Sequence, residues 1–186
     1  MIPYRLLRAV LYLIPIALIS GCSPYHRSGG DAVTWEYRFE KQAQMAADRF
    51  RHVDPSINRF FDSAVGYVVF PNVTKAAVGI GGAHGAGVVF QGDEIIGHAT
   101  LVQASVGVAL GGQTYSEIIF FESLADLDIF KQSNLHFSAE ASVAILKHGA
   151  GAKADYDSGV AVYVSDMEGL MLDVSIGGQK FKFQSK

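Results

Sequence analysis

From Asn72 to Lys186 the chain contains no proline, although short apolar, β-branched runs and glycines fill that whole stretch. Proline cannot donate to a strand ladder, so a long proline-free segment leaves sheet pairing uninterrupted. Residues 65–70 are rich in strand formers and stop at Pro71, and residues 76–81 and 85–90 are two more runs around Gly82, Ala83 and His84. Gln91-Gly92-Asp93-Glu94 carries a turn signal. Residues 99–108, 117–122, 137–146, 160–165, 170–176 and 180–184 read as further strands, the last three joined by hairpin-like links at Glu168-Gly169 and Gly177-Gly178. Ser123, with Asp126 three residues on, opens a short helix through Leu127 and Phe130.

The segment 31–62 differs in kind. Trp35, Phe39, Ala43, Ala46, Phe50 and Val53 recur at spacings of three and four and fall within an arc of about 80° on one helical face. Pro55 ends this helix, and Ser56 is placed to cap a second short one carrying Ile57, Phe60 and Phe61. The expected fold is α+β: an N-terminal amphipathic helical segment packed on a Gly-rich, mainly antiparallel β-sheet or partly closed barrel.

Upstream, Arg5 and Arg8 precede an apolar run over residues 9–19, and no acid occurs before Asp31. Eleven apolar residues are too few to span a bilayer, which needs about 20. The run ends in Leu18-Ile19-Ser20-Gly21-Cys22, which resembles a bacterial lipobox, where the thiol receives a diacylglycerol before cleavage ahead of the cysteine. The expected organisation is a lipoprotein signal peptide over 1–21, a lipidated tether over 22–30 and one domain over 31–186. Cys22 is the lipidation site, and several acyl chains together anchor stably. Ser23 follows where an aspartate would signal inner-membrane retention, so the expected location is the outer membrane, facing the periplasm.

Composition excludes several functions. The chain is 49% apolar with a net charge of -3, which argues against disorder and against a basic nucleic-acid-binding face. Its one cysteine forbids an internal disulfide and a multi-cysteine metal site. Beyond the leader, arginine is confined to positions 27–59, and the body from Ser63 onward has seven lysines and 12 acids.

Chemical motifs are weak. Gly79-Ile80-Gly81-Gly82-Ala83-His84-Gly85-Ala86-Gly87 has His84 where a dinucleotide fingerprint needs its third glycine, so the glycines read as bare backbone for close packing. Ser105 lacks the first glycine of a nucleophile elbow. The six histidines never fall at ligand spacing, and Asp155-Tyr156-Asp157-Ser158-Gly159 reads as a turn rather than a calcium loop. Asp93, Glu94, Glu117 and Glu122 read as strand-end or surface charges. No cofactor, metal or catalytic constellation is expected. On the helical segment, Arg38, Lys41 and Arg49 lie within about 80° of one another beside the apolar arc. An apolar face with a basic edge suits anionic lipid, while packing on the sheet is the competing use of the same side chains.

Five ordered blocks carry a resemblance. The stretch Ala64-Val65-Gly66-Tyr67-Val68-Val69-Phe70-Pro71-Asn72-Val73-Thr74-Lys75-Ala76-Ala77 resembles the opening of the SYLF domain, and the glycine run at 79–89 resembles its glycine strand pair. Gly107-Val108-Ala109-Leu110-Gly111-Gly112-Gln113, Glu140-Ala141-Ser142-Val143-Ala144 and Glu168-Gly169-Leu170-Met171 follow in that family's order. The resemblance implies a non-catalytic lipid-binding module with phosphoinositides as eukaryotic ligands, actin as a yeast partner, and an N-terminal amphipathic helix at the membrane. By position and character that helix maps to Trp35, Arg38, Phe39, Lys41, Arg49 and Phe50. An exported protein meets no actin, so the expected partner is membrane lipid, an anionic phospholipid in particular. The alternative is an envelope protein-interaction or assembly module whose only membrane attachment is the Cys22 lipid.

Overall fold

The computed structural model describes residues 29–132, 136–137, 143–145 and 155–186. The leader, Cys22 and the tether up to residue 28 lie outside the described residues, as do parts of the strand expected over 137–146.

Helix α1 (Gly29–Val53) ends where Pro55 removes an amide donor and restricts the residue before it. Ser56 is not the cap expected from sequence. Asp54 caps the 3-10 turn Pro55–Ile57, its Oδ1 accepting from the Ser56 amide at 3.1 Å and the Ser56 hydroxyl at 2.7 Å. Aspartate two residues upstream reaches that amide, whereas Ser56 already lies inside the turn. Helix α2 (Asn58–Ser63) follows directly and leads into the sheet.

Three long strands make the body: β1 (Gly66–Gln91), β2 (Glu94–Phe121) and β5 (Val160–Ser185). The breaks expected from sequence within each of them do not occur. β2 pairs antiparallel with both β1 and β5. Gly92-Asp93 forms the β1–β2 turn, with Gly92 at φ 58 and Gln91 facing Glu94. Pro71 sits inside β1 because the register shifts between Phe70 and Val73, and its carbonyl accepts instead from the Ser116 hydroxyl at 2.9 Å. Glu168-Gly169 and Gly177-Gly178 are not hairpin links. They face Gln113 and Thr114, and Ala104 and Ser105, in continuous register.

Helix α3 (Leu124–Lys131) begins with the capping box expected at Ser123 and Asp126. The short strands β3 (His136–Phe137) and β4 (Val143–Ile145) both pair with β5, antiparallel and parallel respectively. The sheet runs β1-β2-β5-β3 and is not closed, so the open form of the expected fold is the one present.

Straight strands of 26 residues would extend roughly 85 Å, but the ribbon folds back on itself. A side chain at Gly87 would meet the Phe70 ring at 2.6 Å, and one at Gly85 would meet Val73 at 2.8 Å. Both ends of β1 are therefore stacked, which glycine alone permits at these approaches. The fold lies at the bulge between Val78 and Ile80, where Gly79 takes φ 74. Between the stacked halves lies one core, including Val68, Phe70, Val89, Leu101, Ile119 and Phe181, with Leu127 and Phe130 of α3.

The alternate strand positions form a second core beneath the helices. Val69, Val88, Phe90, Ile118, Phe120 and Tyr163 meet Ala43, Ala46, Phe50, Ile57 and Phe60 there. Small alanines let α1 lie close, and the Phe60 ring packs against Phe120 at 5.6 Å and Tyr163 at 5.3 Å. Burying each such aromatic contributes about 2–3 kcal/mol relative to exposure.

Candidate functional site

The helical residues singled out in the sequence separate on the folded protein. Phe50 is only 1% exposed and belongs to the core beneath the helix. Phe39 is half-buried, stacked on Trp35 at 5.4 Å and near the His98 ring at 5.9 Å. Trp35 remains 46% exposed, and Arg38, Lys41 and Arg49 are exposed. Val33 and Tyr37, which the sequence reading did not include, are 68% and 64% exposed. At 100° per residue, Val33, Tyr37, Lys41, Met45 and Arg38 share the face of α1 opposite the sheet. The helix thus has two working faces: alanines and Phe50 inward, aromatic and basic side chains outward.

One end of α1 is clamped to the sheet. Glu36, Glu40 and His98 converge, with one ligand atom from each within 4.8 Å of the others. The Lys186 ammonium sits among them, 2.7 Å from Glu40 Oε1 and 4.0 Å from Glu36 Oε1. His98 Nε2 stands 3.7 Å from the same Glu40 oxygen. A resident ammonium makes this a charge-paired latch between helix and sheet. Three separate segments supply it, so no local spacing could have revealed it.

A second polar group lies inside the folded ribbon. Glu117, expected at the surface, is 1% exposed. Its Oε2 accepts from Gln179 Nε2 at 3.2 Å, and that amide also lies 3.4 Å from Gln103 Oε1. Glu117 Oε1 has no hydrogen-bond partner among the described residues, and neither has Ser105 Oγ elsewhere on β2. Burial pushes the Glu117 carboxyl up to about 7, and the Gln179 hydrogen bond opposes this only partly. Ser105 is itself 2% exposed, in the middle of β2 and against Gly81, not on a strained turn.

These groups do not converge. His84 is exposed in register with Val102, His98 faces α1, and Glu117 faces the interior. Among the described residues, no helix is long and apolar enough to cross a membrane.

An open, folded ribbon carrying one helix with an aromatic, basic outer face defines an α+β module built around surfaces. Residues 102–186 match the Ysc84 family, described as a Las17-binding protein actin regulator, which bears out the SYLF resemblance of the sequence over that part of the chain. Beta cell expansion factor A of Aeromonas veronii is 32% identical over 142 residues, covering 75% of this chain and 53% of the relative. The chain therefore spans about half the length of that curated relative.

Proposed function

We propose that this chain is an outer-membrane-anchored, periplasm-facing lipoprotein whose SYLF domain binds phospholipid surfaces and catalyses no reaction. The observation that carries the reading is the outer face of α1. There Val33 and Tyr37 stand exposed beside Arg38 and Lys41, with Trp35 half-exposed at the margin of that face, in the helix that begins seven residues after Cys22. An acylated Cys22 would hold that face within reach of the bilayer, where aromatic rings settle at the headgroup level and cations pair with anionic lipid. Separation of His84, His98 and Glu117 onto different faces supports the non-catalytic part.

Co-sedimentation of the full chain carrying Cys22→Ser with phosphatidylglycerol-containing vesicles tests the lipid reading. Binding is expected, and Arg38→Glu with Lys41→Glu should weaken it by about tenfold or more, since each basic residue near an anionic surface contributes about 1 kcal/mol. Absence of binding, together with a reproducible protein crosslink in cells, would favour the envelope-interaction alternative. Mass spectrometry of the mature N-terminus should find a diacylglyceryl, N-acylated Cys22.

A further inference from the structure

The bend of the ribbon presents an apolar surface that neither core uses. Val78 is 80% exposed, Ile80 74%, Val106 66% and Leu110 62%. They are neighbours, because Val78 pairs with Leu110 and Ile80 with Val106 across the β1–β2 ladder. Gly79 between them has φ 74, and nothing lies within 4 Å of a side chain placed there, so this is the outer tip of the fold. Scattered exposed aliphatics need no explanation, but four large ones contiguous at a projecting tip mark an interaction site.

Among the described side chains, the charge beside the tip is basic. Val102 is 51% exposed and paired with His84 on one side and Lys180 on the other, and Thr100 is paired with Lys182. Both lysines are exposed. Among the paired positions from the row His84–Val102–Lys180 to the row Val78–Leu110–Leu172, the one acid is Asp173, opposite Ala109. The next acid along β5 is Glu168, beyond Gly112–Leu170 and opposite Thr114. About 13 Å of strand separates Val102 from Val106, so lysines sit behind an apolar tip. That spacing suits a tip buried about 5–10 Å into the headgroup and acyl boundary with its amines among the phosphates.

A protein partner fits less well. Protein interfaces concentrate their energy in Trp, Tyr and Arg, and the described side chains of the tip are aliphatic. Pairing between β2 and β5 also continues through the bend, Val106 to Leu110 facing Ile176 to Leu172. Entry into an apolar phase therefore leaves that ladder's hydrogen bonds made.

We propose that the ribbon bend is a membrane-docking tip, inserting Val78, Ile80, Val106 and Leu110 into an anionic phospholipid surface with Lys180 and Lys182 against its headgroups. The proposal rests on the reading that this chain works at lipid surfaces, and adds a second contact, on the sheet, to the one on α1.

The test uses the full chain with Cys22→Ser, Trp35→Phe and Ile80→Trp, so that the single tryptophan reports from the tip. Phosphatidylglycerol–phosphatidylcholine vesicles should blue-shift its emission, and brominated lipid should quench it. Lys180→Gln with Lys182→Gln should lower partitioning roughly 30-fold, and Val106→Asp should abolish the blue shift. Vesicle binding without a change in emission overturns the docking tip while leaving α1 as the lipid contact. Failure to bind any vesicle overturns both readings. Equal partitioning into phosphatidylcholine alone overturns the role of the lysines. A blue shift that grows with protein concentration in the absence of lipid overturns the proposal in favour of a second copy of the chain.

Discussion

Glu117 shows how a single position in a strand determines a residue's chemistry. Its neighbours Ile119 and Phe121 share its face of β2, and period-2 alternation alone sends all three inward. That signal was present in Ser116-Glu117-Ile118-Ile119-Phe120-Phe121, although a lone acid there reads first as a surface charge. The folded protein holds the Glu117 proton up to about pH 7, while the unfolded chain releases it near the ordinary value of 4.5. The folded state therefore binds the extra proton across that interval, and stability falls as pH rises from 4.5 through 7, then levels off. Ionisation costs on the order of 3 kcal/mol in total, at about 1.4 kcal/mol per pH step. Glu117→Gln keeps the polar contact with Gln179 and should remove this slope, which urea midpoints at pH 5 and pH 8 will measure. An unchanged slope would assign the pH dependence to other groups. Gly87 is constrained by geometry instead: Gly87→Ala forces a methyl onto the Phe70 ring, and should cost about 1–3 kcal/mol in the same titration.

At the level of elements, local rules succeeded where the partners are close in sequence. The α3 capping box, the Gly92-Asp93 turn and the termination of α1 before Pro55 all follow from contacts within a few residues. They failed where a long-range partner overrides a local signal. Pro71 reads as a strand end, yet Ser116, from the middle of the chain, accepts the bulge by donating to its carbonyl. One miss was itself local: Asp54, two residues before Ser56, is the cap of the 3-10 turn, and Asp54→Ala should cost about 1 kcal/mol, with a lower thermal midpoint and an unaltered sheet signature in circular dichroism. On α1, the heptad-like spacing identified one apolar arc, but only the sheet decides that Phe50 is covered while Trp35 stays half exposed.

Among the described residues, β2 is bonded on both flanks and β1 on only one. Amides of β2 at residues 115–121 should therefore exchange with deuterium only on global opening, and those of the first turns of α1 much earlier. Comparable protection of both regions would mean that the helix and sheet open as one unit. The latch of Glu36, Glu40, His98 and Lys186 joins the first helix to the end of the last strand, so its loss should loosen α1 without unfolding the ribbon. Increased exchange confined to α1 in Lys186→Ala would show this.

The amino-acid sequence by itself determined the division into a helical segment and a proline-free sheet, the family order of its glycine blocks, and the cap of α3. Each rests on local backbone preference or on periodicity, which need no knowledge of distant partners. Only the tertiary structure decided that three strands run unbroken and fold at Gly79, that Glu117 is buried, and that Val78, Ile80, Val106 and Leu110 are left outside. The glycines show the difference: the run at 79–87 reads locally as bare backbone for close packing, but only the folded ribbon shows that Phe70 and Val73 are what Gly87 and Gly85 pack against. That close approach is a property of the folded ribbon, set by residues as far apart as Phe70 and Gly87.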